Sequence, residues 1–113
     1  GILHTINPRL FQDQLDYIVN HAEDRVLLYD AAFQPIVDAM RERWNCVEHY
    51  ICYDPPAGFD GVAFEDWIGA EDGKTEWAKV DERDPCMLCY TSGTTGNPKG
   101  VLYEHRSTML HAW

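Results

Sequence analysis

The feature that most constrains this chain is a stretch rich in glycine and hydroxyl groups at residues 90–100, with the sequence YTSGTTGNPKG. It lies between two short apolar runs, residues 86–90 and 101–103. Glycine allows the backbone to adopt φ > 0 and lets another group come close to it. Consecutive backbone N–H groups that point inward form a concave site for an anion. Hydroxyl groups donate to phosphate oxygens, and the Lys99 ammonium adds a mobile positive charge. The stretch therefore predicts a polyphosphate-binding loop rather than a hairpin turn without a ligand.

The stretch does not have the pattern of a Walker A loop. That motif places its lysine before Ser or Thr at the start of a helix, whereas Lys99 follows Pro98 and precedes Gly100. The next run, residues 101–103, is β-prone rather than helical. We therefore expect the loop to join a strand to a strand, so that anion binding comes from the loop itself and not from a helix dipole.

The first half of the chain alternates between strand and helix patterns. Three apolar segments predict buried strands, at residues 2–6, 26–29 and 47–53. The middle one has no polar alternation, which is typical of a strand covered on both faces. Asn7 is the expected N-cap and Pro8 the first position of a helix that ends near residues 21–23. A second helix is expected from Pro35, with Trp44 on its inner stripe. The order β-α-β-α-β predicts right-handed crossovers and a parallel sheet.

The second half leads to the glycine-rich stretch. Prolines 55 and 56 end the third strand, and a short helix is expected over residues 63–69. Residues 71–84 are charge-rich and predict a surface connection with Trp77 and Val80 as its anchors. Strands are expected at residues 86–90 and 101–104, on either side of the loop. A last helix is expected from Arg106 to Trp113, with an apolar side that would be buried: Met109, Leu110 and Trp113.

Together these elements predict an α/β fold, a three-layer and mostly parallel β-α-β sheet with a strand-loop-strand hairpin that carries the phosphate loop. Because a chain of 113 residues has room for one small domain, we expect residues 1–113 to be a single, partial domain. Gly1 begins in a strand-like run and Trp113 ends in a helical one, so a fragment cut at both ends is the expectation.

Composition excludes several classes of protein. A hydrophobic content of 45% excludes disorder, and a net charge of −10 argues against nucleic acid and anionic membrane surfaces as partners. No apolar run approaches the roughly 20 residues of a membrane helix, and no signal peptide opens the chain. A cytoplasmic protein is therefore expected. The acidic side chains over residues 54–72 lack the spacing of a calcium loop and predict a solvated surface: Asp54, Asp60, Glu65, Asp66, Glu71 and Asp72.

The four cysteines leave a metal or redox reading open. Cys86 and Cys89 have the spacing of zinc ligands, and His49 lies near Cys46 and Cys52. However, Cys86 and Cys89 lie in an apolar strand, where residues three apart point to opposite faces. We therefore favour buried free thiols over a zinc or redox site.

At this point the chain resembles a known family. Residues 90–100 match, at all eleven positions, the phosphate-loop pattern [YF]-T-S-G-[ST]-T-G-x-P-K-G of the adenylate-forming enzymes, the AMP-dependent synthetase and ligase superfamily. Residues 1–10 (GILHTINPRL) and 101–107 (VLYEHRS) are similar to the flanking segments in the acyl-CoA synthetase branch. Within that branch, the chain resembles medium- and long-chain fatty acyl-CoA ligases and methylthiopropionate-CoA ligases. The resemblance covers essentially the whole chain, which would be an internal part of the large N-terminal domain.

The resemblance implies a two-step reaction. A carboxylic acid attacks the α-phosphate of ATP to give acyl-adenylate and pyrophosphate, and the thiol of coenzyme A then displaces AMP. It implies that Lys99 follows the leaving pyrophosphate, and that Gly93 and Gly96 allow close backbone approach. Thr91 resembles the position that helps to place Mg²⁺. The implied hydroxyl donors to the β- and γ-phosphates are Thr91, Ser92, Thr94 and Thr95. The implied partners are ATP, the acid and coenzyme A, and a homodimeric parent is compatible with the family.

The resemblance also limits the expectation. The family's adenine-binding segment, ribose aspartate, hinge and C-terminal catalytic lysine lie downstream of residue 113, so no catalytic residue is assigned here. We expect the 113 residues alone not to form acyl-CoA. The alternative is a stand-alone nucleotide- or phosphate-binding module without turnover. His4 and His105 are expected to have structural roles, His4 in the core and His105 at the helix start.

Overall fold

The computed structural model describes residues 1–91 and 96–113, which form two compact units. The first unit comprises residues 1–18 and 76–113, and the second comprises residues 19–75. The strands are β1 (Leu3–Thr5), β2 (Val26–Asp30), β3 (His49–Tyr53), β4 (Val62–Ala63), β5 (Pro85–Thr91) and β6 (Lys99–Glu104). The helices are α1 (Gln12–Ala22), α2 (Gln34–Met40), α3 (Phe64–Gly69) and α4 (His105–Ala112), and a 3₁₀ turn (Ala31–Phe33) precedes α2.

The first unit contains a mixed sheet with the strand order β1-β5-β6. β1 runs parallel to β5, with His4 opposite Leu88 and Thr5 opposite Cys89. β5 runs antiparallel to β6, with Thr91 opposite Lys99 at the end nearest the glycine-rich stretch. The central strand of this sheet is therefore the strand that leads into that stretch.

The second unit contains a parallel sheet with the order β2-β3-β4. The 3₁₀ turn and α2 connect β2 to β3, as a parallel pair requires. The core of this unit includes Tyr29, Val37 and Cys52, with Leu27 and Phe59 packed against them. Met40 and Trp44 are also buried. The predicted α/β fold with parallel strands is confirmed. Whether the two units belong to one partial domain stays a prediction of the sequence.

The predicted pairing of the first strand was wrong. A single β-α-β-α-β sheet would place β1 beside β2 or β3, but β1 pairs with β5, more than 80 residues further along the chain. Local apolar patterns identify strands but carry no information about partners so distant in sequence. The short strand β4, parallel to β3 at Ile51 and Cys52, was not predicted because a two-residue strand has no readable pattern.

The predicted start of the first helix was also wrong. Asn7 does not start a helix, because residues 8–11 are not helical and the chain makes a turn at residues 8 and 9. The Asn7 side-chain Oδ1 accepts from the Arg9 backbone N–H at 3.0 Å, and the Asn7 carbonyl accepts from the Leu10 N–H at 3.3 Å. The helix begins only at Gln12, and the carbonyl of Phe11 accepts from the backbone N–H groups of Gln14 and Leu15. Leu15, Ile18 and Val19 of the helix are buried, whereas Phe11, just before the helix, is 82% exposed.

Several apolar faces that were predicted to be buried are exposed in the part of the chain that the structure describes. In α4 and just beyond it, Met109 and Trp113 are 72% and 99% exposed, and Leu110 is exposed as well. The expected anchors Trp77 and Val80 are exposed. Four apolar side chains of the first two predicted strands, residues 2–6 and 26–29, are exposed as well: Ile2, Leu3, Val26 and Leu28. Periodicity identifies an apolar face, but it does not show what lies against that face.

Candidate phosphate-binding site

The candidate site lies where β5 and β6 approach the glycine-rich stretch. Thr91 ends β5 and Lys99 begins β6, and the two residues are opposite each other in the antiparallel pair. Both are exposed. Four predicted site residues lie outside the described residues, so the phosphate-loop part of the predicted hairpin stays a prediction: the hydroxyl donors Ser92, Thr94 and Thr95, and Gly93. The structure brings together the remaining pair, one hydroxyl residue and one lysine.

Gly96 has the backbone conformation that was expected of a glycine in this stretch. Its φ of +88° lies in the left-handed region, which side chains with a Cβ rarely adopt. A Cβ at Gly96 would meet no atom within 4 Å, so the requirement for glycine comes from the backbone and not from space. Pro98, two residues later, is buried. The chain therefore turns at Gly96 and is anchored at Pro98 before Lys99 enters β6.

The positive charge of Lys99 is available to a ligand. No carboxylate forms an ion pair with Lys99 among residues 1–91 and 96–113. Because a strand follows Lys99, no helix N-terminus lies directly after it, which agrees with the exclusion of a Walker A loop. In a chain of net charge −10, an exposed ammonium at a strand end is a local positive charge that can attract an anion.

Tyr90, the residue before Thr91, is held between two neighbours. The rings of His4 and Tyr90 are 5.2 Å apart between centroids, with an interplanar angle of 46°. On the other side, Tyr90 is opposite Gly100 of β6. A Cβ at Gly100 would lie 3.2 Å from Tyr90 Cζ and 3.2 Å from Leu88 Cδ1. His4 was not predicted as part of the site, and Gly100 was predicted only as the last position of the loop pattern. No signal in the sequence placed His4 beside the loop, because the pairing of β1 with β5 joins residues far apart in the chain.

A cavity of about 480 Å³ lies at the carboxyl ends of β1 and β5. Its lining includes Thr5, Asn7, Cys89 and Tyr90. The Cys89 thiol and the Thr5 hydroxyl are 3.1 Å apart and share a hydrogen bond. Ligands of α/β sheets usually bind outside the carboxyl ends of parallel strands, and this cavity is adjacent to the strand end that carries Thr91.

An acidic turn holds the start of α4. The Asp84 carbonyl accepts from the His105 backbone N–H at 3.1 Å, and the Glu82 carbonyl accepts from the Arg106 backbone N–H at 2.8 Å. The Arg106 guanidinium donates to the Glu82 carboxylate at 3.1 Å. His105 is therefore at the helix start, as predicted. The helix is capped by the backbone carbonyls of Glu82 and Asp84, which the sequence predicted to lie in a surface connection. The D-x-x-D spacing of Asp81 and Asp84, which bond to each other, was the available signal.

The four cysteines are free thiols with different neighbours. Cys86 contacts the hydroxyl of Thr108 in α4, whereas Cys89 contacts Thr5 in β1. Burial raises the pKa of the Cys46 and Cys52 thiols, which favours the neutral form. No group of three or more His, Cys, Asp or Glu side chains is placed to hold a metal ion in the described ranges. None of the described helices is long and apolar enough to cross a membrane.

Comparisons with known proteins agree with this geometry. A family profile described as AMP-binding enzyme matches residues 1–112. The 3-methylmercaptopropionyl-CoA ligase of Ruegeria pomeroyi is 51% identical over 99% of this chain. The long-chain-fatty-acid–CoA ligase of Thermus thermophilus is 44% identical over 99% of the chain. In both cases the chain spans only about a fifth of the relative, 22% and 20% of its length.

A solved structure extends the likeness to three dimensions. The crystal structure of an anthranilate CoA ligase in complex with anthranoyl-AMP superposes with a TM-score of 0.89 at 32% sequence identity. The superposition covers 98% of this chain and 21% of that protein. The described fold is therefore that of one segment of a larger enzyme.

Proposed function

Because this chain belongs to the AMP-binding enzyme family, we propose that it is the phosphate-loop segment of an acyl-CoA ligase. That ligase activates an aliphatic carboxylic acid with ATP and then forms the coenzyme A thioester. The observation that carries the proposal is the 51% identity over 99% of the chain to a 3-methylmercaptopropionyl-CoA ligase, with the phosphate-loop pattern complete. Fatty acids and methylthiopropionate are the proposed substrate classes, because the names of the relatives include both.

The two steps place different demands on the protein. In the first, a carboxylate oxygen attacks the α-phosphorus of ATP, the bond to the β-phosphate oxygen breaks, and pyrophosphate leaves. In the second, the sulfur of coenzyme A attacks the acyl carbonyl carbon and AMP leaves. The first step concentrates negative charge on the leaving pyrophosphate, so the protein contributes mainly by positioning groups and neutralising charge.

The residues of this chain are proposed to act on that leaving group. Lys99, unpaired and exposed at the start of β6, would neutralise the β- and γ-phosphates. Gly96, with φ of +88°, would bring backbone N–H groups close to them. The hydroxyl and glycine donors of the loop proper are proposed to be Ser92, Gly93, Thr94 and Thr95.

Mg²⁺ fits the chemistry of this strand end. It binds oxygen ligands and keeps several nucleotide phosphate oxygens and waters in its shell, so it needs few protein ligands. Thr91 supplies an exposed hydroxyl directly opposite Lys99. Bound there with ATP, the ion would neutralise phosphate charge, and Thr91 would help to hold it.

A pyrophosphate-release assay of the full-length protein tests the proposal. Acids of increasing chain length and 3-methylthiopropionate are compared in the presence of ATP, Mg²⁺ and coenzyme A. We expect release that depends on the acid, thioester as the product, and a large loss in the variant Lys99→Ala. Lys79→Ala is the matched control, because Lys79 is an exposed lysine of the charged connection. The absence of acid-dependent release by the wild type would refute the proposal.

Residues 1–113 alone are predicted to form no thioester above the Lys99→Ala control. The second candidate, a phosphate-binding module without turnover, is favoured only by the unpaired Lys99. Calorimetry with pyrophosphate separates the two candidates. For residues 1–113 alone we expect at best about millimolar affinity, or about −4 kcal/mol. Micromolar binding of pyrophosphate by the full-length protein, without turnover, would favour the phosphate-binding module.

Cytoplasmic location and a homodimeric parent are also proposals. Sedimentation of the full-length protein tests the second.

A further inference from the structure

We propose that His4 is a positioning residue for the phosphate loop and acts through the ring of Tyr90. This inference rests on the proposed function, because it assigns a role within the same site. His4 lies in β1, 86 residues before Tyr90 in the chain.

The first step is the contact between β1 and β5. The two strands are parallel, and His4 is opposite Leu88. Side chains two residues apart lie on the same face of a strand, so the His4 ring reaches diagonally to Tyr90. The centroids are 5.2 Å apart and the rings are tilted by 46°, which is a favourable distance and orientation for an aromatic pair.

The second step is the contact between β5 and β6. Tyr90 is opposite Gly100, and a Cβ at Gly100 would lie 3.2 Å and 3.4 Å from the Tyr90 ring atoms Cζ and Cε1. The ring therefore occupies the space that a side chain at residue 100 would need. An aromatic ring packed over a cross-strand glycine is a known means of stabilising a glycine in a sheet and of fixing its register.

The third step leads to the site. The pair beyond Tyr90 and Gly100 is Thr91 and Lys99, the last pair before the loop. A slip of β6 by one residue would turn the Lys99 side chain to the other face of the sheet. The row His4, Tyr90 and Gly100 opposes this slip, because a side chain in place of Gly100 would crowd the Tyr90 ring and the His4 ring lies against that ring. His4 therefore contributes to where Thr91 and Lys99 present their side chains.

Kinetics of the full-length protein provide the first test. His4→Ala removes the ring, His4→Phe keeps an aromatic ring, and Phe11→Ala is the matched control, because it also removes a ring from the first unit but one that is 82% exposed. We expect His4→Ala to raise the KM for ATP by about three- to tenfold, the factor that corresponds to the interaction energy of one aromatic pair. The KM for the acid should be unchanged. His4→Phe should restore the KM for ATP, and Phe11→Ala should leave it unaltered.

Amide hydrogen exchange at Thr91 and Lys99 provides a second readout that does not need turnover. Loss of the His4 ring should speed exchange at these two residues by about three- to tenfold relative to Phe11→Ala, because local opening of the strand end becomes easier. If His4→Ala does not fold, Gly100→Ala takes its place: it displaces the Tyr90 ring from the other side and should raise the KM for ATP in the same way.

The two proposals fail in distinguishable ways. If the wild type shows no acid-dependent pyrophosphate release, the proposed function is wrong, and hydrogen exchange still decides the role of His4. If the wild type is active but His4→Ala changes neither the KM for ATP nor the exchange rates, His4 only fills space and this inference is wrong. A KM effect that His4→Phe does not restore would likewise overturn the role of the ring contact.

Discussion

The two units of this chain differ in where their apolar side chains lie. Among residues 1–91 and 96–113, seven of the nine buried hydrophobic residues belong to residues 19–75, and the other two, Leu15 and Ile18, belong to the first unit. By contrast, the unit that carries Thr91 and Lys99 exposes most of the apolar side chains of β6 and α4: Val101, Leu102, Tyr103, Met109 and Leu110. The second unit thus has a core of its own, whereas the first carries the proposed phosphate-binding residues. We therefore expect substitutions in the second unit to change mainly the free energy of unfolding, and substitutions in the first unit to change mainly ligand binding.

The largest difference is expected between two methionines. Met40 is fully buried in the second unit, whereas Met109 is 72% exposed in the first. Met40→Ala should lower the free energy of unfolding by about 2–5 kcal/mol, because it leaves a cavity in a packed core. Met109→Ala should change it by less than about 0.5 kcal/mol. Urea denaturation followed by circular dichroism measures both, and similar losses for the two variants would contradict the contrast between the units.

The next prediction uses residues with a left-handed backbone. Glu23 has φ of +55° at the end of α1, where the Asp24 N–H bonds to the Val19 carbonyl at 3.2 Å. Because this conformation costs a residue with a Cβ about 1 kcal/mol, Glu23→Gly should raise the free energy of unfolding by up to about that amount. Glycine also suits the position after a helix, so the helix end is retained.

Gly96→Ala is the opposite change in the first unit. Gly96 has φ of +88°, so alanine should cost about 1–2 kcal/mol or force the turn to change. Since Lys99 lies three residues later, we expect the KM for ATP of the full-length protein to rise as well. Thermal unfolding measures the stability of both Glu23→Gly and Gly96→Ala, and ATP kinetics measure the KM of Gly96→Ala. A Gly96→Ala variant with unchanged KM would show that the turn does not position Lys99.

The sequence predicted what depends on local chemistry. The strands on either side of the loop, the helix at residues 64–69 and the glycine at a positive φ follow from residue types and spacing. The partner of β1 could not be predicted, because pairing between residues 3–5 and 87–89 depends on contacts across the chain. The predicted start of α1 was wrong for a different reason. Asn followed by Pro suits both a helix N-cap and a local turn, and here the turn does not continue into the helix, which begins at Gln12.

For the candidate site, the sequence predicted the residues of the loop pattern but not the neighbouring residues that pack against them. Thr91, Gly96 and Lys99 were predicted from the loop pattern, and the structure places Thr91 opposite Lys99. The contacts of His4 and Gly100 with Tyr90 require the strand order β1-β5-β6, which no local pattern contains. The exposed face of α4 could not be predicted either, because an apolar stripe has the same sequence whether or not another element covers it.

The smallest effect is expected for exposed ion pairs, of which one from each unit is compared. In the second unit, Arg25 bonds to both oxygens of Glu48 at 2.8 and 2.9 Å, and this contact lowers the pKa of the Glu48 carboxyl. In the first unit, Arg106 makes a single contact with Glu82 at 3.1 Å. All four side chains are at least half exposed, so water and salt screen both pairs.

The sign of the pH dependence follows from the lowered pKa of Glu48. A carboxyl whose pKa is lower in the folded state stabilises the protein above its unfolded-state pKa, and this stability is lost as the pH falls through the folded-state pKa. We therefore expect Glu48→Gln to be slightly less stable than wild type at pH 7 and equal to it in strong acid or high salt. Glu82→Gln should change stability less, because the Glu82 carbonyl still accepts from the Arg106 N–H. Urea midpoints from pH 7 down to pH 3 measure both variants, and a larger loss for Glu82→Gln would place the stronger ion pair in the unit that carries the site.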